Sequence, residues 1–129
     1  MWYMDSGCSR HMTGDEYKFS KLEMQDREKI TYGDNSKGHI IGKGLVGKNL
    51  QISDVSLVQD IGFNLLFVSQ LCDKDLRVVF ESNFFEVINR IDGQCIFRGE
   101  RKGNIYVVDL DIIEKHVSLC LATLSIDTS

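Results

Sequence analysis

Proline is absent from this 129-residue chain and tryptophan occurs once. Without proline, tight turns fall to the eleven glycines and to the Asn, Asp and Ser residues beside them, a turn chemistry typical of β-rich domains. Four cysteines, Cys8, Cys72, Cys95 and Cys120, stand far apart with no C-x-x-C pair. That spacing indicates neither a zinc ribbon nor a disulfide framework, and it points to a reduced, intracellular protein. Cys8 and His11 have a ligand-like spacing, but a tetrahedral site needs two more ligands that no nearby cluster supplies. No metal and no cofactor are therefore expected.

Long hydrophobic runs are missing too. No apolar stretch reaches the roughly 20 residues of a membrane-spanning helix, and the N-terminus lacks the charged and apolar regions of a signal peptide. Fifteen basic and nineteen acidic residues give a net charge of −4, with no basic block that would follow a phosphate backbone. Neither a membrane nor a nucleic acid is expected as a direct partner. With 43% apolar residues the chain can bury one core, at a size where self-association adds useful stability.

Short apolar segments alternate with turn signals along the sequence. Residues 28–33 and 39–41 flank a polar, glycine-ended tip and predict a β-hairpin. The period of two over 50–58 predicts a half-buried strand. Residues 62–72 predict a short helix with Asn64 as its N-cap. Four more strands are expected over 76–81, 84–89, 94–98 and 104–109, with turns at 91–93 and 101–104. The tail from Asp111 fits a helix or a strand equally well. The expectation is one all-β core with one short helix.

Asp5-Ser6-Gly7 follows the apolar run Trp2-Tyr3-Met4. The glycine permits a sharp turn and the small hydroxyl can bond its neighbours without crowding the carboxylate. The tripeptide alone is also ordinary turn chemistry. In context it resembles the catalytic turn of aspartic proteases, with residues 29–33 and Ser36 resembling the flap and Ile61-Gly62 the hydrophobic-glycine segment. The whole string from Trp2 to Asp15 is closer still to the protease region of copia-type LTR retrotransposon polyproteins. Gly33-Asp34-Asn35, residues 41–44, 64–73 and 104–106 continue that likeness in the same order.

The resemblance implies a retropepsin-like closed β-barrel over residues 2–110, one half of a C2 dimeric aspartic protease, with 111–129 a C-terminal extension or linker towards the next polyprotein segment. It implies Asp5 as the catalytic carboxylate, supported by Ser6 and Gly7. Tyr32, Gly33, Asp34, Asn35 and Ser36 would form the flap over substrate, and Ile61 and Gly62 the active-site wall. The alternatives are ordinary: Tyr32 as a strand aromatic, Ile61 as core. Arg10 and His11, close to Asp5 in sequence, could tune its field, but the plainer reading is a solvated turn. In retroviral enzymes two strands precede the catalytic turn, and residues 76–124 are expected to take over their structural duty here.

Aspartic proteases use two aspartates that share one proton. One D-[ST]-G per chain therefore implies a homodimer with Asp5 of each copy across the axis. The expected substrates are peptide segments of its own Gag-Pol polyprotein, cleaved in the cytoplasm within retrotransposon virus-like particles. The alternative function is a catalytically inactive dimerisation or peptide-binding domain of the same fold.

Overall fold

The computed structural model describes residues 1–5, 10–32 and 36–115. The expected Ser6, Gly7, Gly33, Asp34 and Asn35 lie outside the described residues, as does the side chain of Tyr32. The fold is all-β, with ten strands in one sheet ordered β3-β4-β5-β2-β6-β1-β10-β9-β8-β7. These are β1 (Trp2–Asp5), β2 (His11–Thr13), β3 (Phe19–Tyr32), β4 (Ser36–Val46), β5 (Ile52–Val58), β6 (Asn64–Phe67), β7 (Leu76–Phe80), β8 (Phe84–Asn89), β9 (Cys95–Lys102) and β10 (Ile105–Val108). The expected closed barrel is corrected: among the described residues β3 and β7 end the sheet and do not pair, so it stays open.

Four-residue β1 is an interior strand, because β6 pairs with it in parallel on one side and β10 antiparallel on the other. β2 lies parallel to β5 and antiparallel to β6. Both parallel pairs need long connections, since only antiparallel neighbours can be joined by tight turns. The strands from β7 to β10 instead form a simple antiparallel meander. Two of its three turns carry a glycine with positive φ, Gly93 and Gly103; the third, between β7 and β8, is made by Glu81, Ser82 and Asn83.

Asn64 does not cap a helix as expected. It opens β6, where its side chain accepts from the Thr13 hydroxyl at 2.6 Å and donates to the Met1 carbonyl at 3.0 Å. The helix α1 (Val68–Cys72) starts four residues later and has no side-chain cap. A 3-10 turn over Glu16–Lys18, capped by Asp15, and helical residues at 110–115 add to the single helix expected.

The larger apolar cluster joins Trp2, Val55 and Leu66 to Phe85, Val87, Phe97 and Val108, so the meander and the first six strands share one core. Met12, Ile40, Val58, Ile61 and Phe67 form a smaller cluster, with Ile30 packed on it. At Gly99, no Cβ could fit between the Phe85 ring and the Val107 carbonyl. Packing also continues past residue 110: Leu110 is buried, Ile113 packs on the core, and the Glu114 carboxylate accepts from Lys48, Asn49 and Leu50 N–H groups at 2.5–2.6 Å.

Candidate functional site

Asp5 ends β1 half-buried, and the register sets it opposite Phe67 at the C-terminal end of β6. Trp2 and Tyr3 are paired on both sides, to β6 and to β10, whereas Met4 and Asp5 are paired to β6, which fixes the backbone that carries the carboxylate. Phe67 is fully buried in the smaller cluster. Ile30 of β3 and Ile40 of β4 pack into the same cluster, so the base of the long hairpin is anchored behind the strand that backs Asp5. Arg10, just ahead of β2, meets Glu28 of β3 at 3.6 Å, a second tie between hairpin and turn. Beyond this base Tyr32 pairs with Ser36, which is exposed, as the hairpin's outermost described pair.

The register does not bring all the expected residues together. Asn64 pairs with Trp2, so Ile61 and Gly62, which precede it, stand towards the end of β1 remote from Asp5. The three register positions from Trp2 to Asp5 correspond to about 10 Å of strand. Gly62 is exposed, and a Cβ there would meet nothing within 4 Å. It lines no packed wall. Ile61 is core, and its carbonyl passes so close to Gly14 that no side chain could be carried there.

His11, expected in a solvated turn, is 2% exposed. Its Nδ1 accepts the Phe67 N–H at 3.0 Å. Its own N–H donates to Gln70 Oε1 at 2.7 Å, and Gln70 Nε2 donates to the Asp54 carbonyl at 2.8 Å. Desolvation lowers the imidazole pKa to about 4, against the opposing pull of the Asp54 charge. Asp54 has φ of 58°, and its carboxyl is held below the usual range first by its hydrogen bond to Lys74, 2.8 Å away. Sequence reasoning missed His11 and Gln70. A three-residue strand between Arg10 and Gly14 is too short to show a period, and the one visible signal, the spacing to Cys8, suggested a ligand.

Among the described residues no group of three or more His, Cys, Asp and Glu is placed to hold a metal ion. No described helix is long and apolar enough to cross a membrane.

Residues 2–76, more than half of the chain, match the family described as the Pol polyprotein β-barrel domain. The chain belongs to that family. The matched span covers β1 to β6 and α1 and stops where the meander begins. The chain is also similar to a putative transposon Ty5-1 protein of Saccharomyces cerevisiae, with 35% identity over 68 residues, 52% of this chain and 47% of that protein. It therefore spans about half the length of this curated relative. No solved structure matches. The chain is thus a retrotransposon Pol polyprotein domain, and the setting expected from the Trp2–Asp15 string holds at that level.

Proposed function

We propose that this Pol domain is an aspartic endopeptidase that works as a homodimer on extended segments of its own polyprotein. The observation that carries the reading is the seat of Asp5, the first residue of the Asp5-Ser6-Gly7 motif: half-buried at the end of β1, paired to β6 and backed by the cluster that anchors the β3–β4 hairpin. In the dimer one Asp5 is ionised and takes a proton from water. The other is protonated and gives its proton to the scissile carbonyl oxygen as the water oxygen adds to the carbon. Collapse of the tetrahedral diol breaks the C–N bond, and a proton passes to the leaving amine. The hairpin of each copy, with Tyr32 to Ser36 at its end, closes over a substrate bound as an added strand. The setting of the reaction is the cytoplasm, within particles assembled from the same polyprotein.

Cleavage of a polyprotein-derived peptide should be abolished by Asp5→Asn and inhibited by pepstatin. Specific activity should rise with protein concentration in step with dimer measured by sedimentation. Retained cleavage in Asp5→Asn, or full activity in a strict monomer, would overturn the reading. A folded dimer that cleaves nothing would assign the chain to the alternative, a non-catalytic dimerisation or peptide-binding domain.

A further inference from the structure

The β2–β6 ladder pairs Met12 with Leu65 and Thr13 with Asn64 and ends there. Where the next main-chain acceptor would be needed, the Phe67 N–H is met by the His11 imidazole instead. Phe67 is therefore held from two sides, by the His11 ring on the β2 side and by Asp5 as its register partner on the β1 side. Gln70 fixes the His11 backbone in turn, bridging it to the Asp54 carbonyl of β5. Asp5 ends β1 and His11 begins β2, and both are set against the same residue of β6.

We infer that His11 is a positioning residue for Asp5, acting as a neutral hydrogen-bond acceptor that fixes the β6 backbone against which the carboxylate is set. The inference rests on the protease reading. An acceptor at Nδ1 requires the proton on Nε2. Burial favours that neutral ring. The charged groups around it are few: Asp54 on β5 is engaged by Lys74, Arg10 by Glu28, and the β6 and α1 segments carry no charged residue.

Two variants of the full chain separate this role from simple packing. His11→Leu keeps the bulk and removes the acceptor, whereas the Asn side-chain oxygen in His11→Asn can take the place of Nδ1. In a peptide-cleavage assay, His11→Leu should lower kcat by roughly 10- to 100-fold, the scale of a misplaced catalytic group, with KM within about twofold. His11→Asn should restore most of the loss. Wild-type kcat in folded His11→Leu, or a loss that His11→Asn does not repair, would overturn the inference. Should His11→Leu fail to fold, the imidazole 15N shifts of the unmutated protein still decide: an unprotonated Nδ1 at neutral pH supports the role and a protonated Nδ1 overturns it. The Asp5→Asn control keeps the two ideas apart. Cleavage retained there defeats the protease reading, whereas the tautomer and slow exchange of the Phe67 amide do not depend on activity.

Discussion

The first six strands and the last four are built on opposite plans. Among β1 to β6, β1 and β2 are threaded between strands distant in sequence, with two parallel pairs, whereas β7 to β10 follow one another across the sheet as they do along the chain. The family match ends where the second plan begins. Every described buried polar or charged side chain, His11, Thr13 and Ser56, lies in the first region. The meander has an apolar interior of Phe85, Val87 and Phe97, crossed by edge-to-face aromatic pairs such as Phe85 with Tyr106 at 6.1 Å. The contrast separates a region in which buried polar ties are added to the apolar packing from one whose buried side chains are apolar. Yet β10 pairs directly with β1, so the packed region closes the outer side of the strand that carries Asp5.

The sharpest way to break this comparison is to ask whether the two regions melt apart. Trp2 and Phe85, one in each, are both buried in the same cluster. Trp2→Ala and Phe85→Ala should each cost about 3–5 kcal/mol and lower a single unfolding transition followed by calorimetry or denaturant titration. Two transitions, only one of which moves, would mean that the meander is a separate folding unit.

Acid should act on the first region through His11. Its folded pKa of about 4 lies below the ordinary 6.5, so between those values the unfolded chain binds the extra proton. Stability is then full above pH 6.5 and is lost as pH falls towards 4, by about 3 kcal/mol. Melting temperatures across that window should fall in the wild-type protein and fall less in His11→Asn.

A smaller effect belongs to the join between the regions. Desolvation pushes the Glu114 pKa up, but the backbone N–H groups of Leu50, Asn49 and Lys48 outweigh it and hold the carboxyl below its usual range. This contribution is present above the ordinary carboxylate pKa and disappears as pH falls through the folded one. Glu114→Gln should cost about 1 kcal/mol and speed amide exchange at residues 48–50 without changing it in β8.

The smallest expected change is in the meander alone. Arg98 lies 4.0 Å above the Phe84 ring and 3.5 Å from Glu86, on the surface. Arg98→Ala should cost about 0.5 kcal/mol in denaturant titration and leave peptide cleavage untouched.

The same contrast explains what could be read from sequence. The meander strands were legible in number and order, and Phe84–Asn89 in full, because hairpins join neighbours and glycine turns are local signals; β9 alone runs four residues past the expected end, to Lys102. The β3–β4 hairpin was visible only near its tip, since charged residues from Lys21 to Lys29 hide the strand's period. The β1–β6 pairing could not be read, because nothing local to Trp2 or Asn64 specifies a partner about 60 residues away. Asp5 was singled out from its motif. The burial of His11 could not be read, because its bond to the Phe67 N–H forms only once β2 and β6 are side by side.

The interior placement of β1 also sets an order of events. Its inner partner, β6, begins at Asn64, and its outer partner, β10, ends at Val108. At a synthesis rate of about 5–20 residues per second, roughly 5–20 s separate the emergence of Asp5 from that of its last sheet neighbour. Until then β1 lacks its outer neighbour, so the strand that carries Asp5 is completed only after the meander has been made.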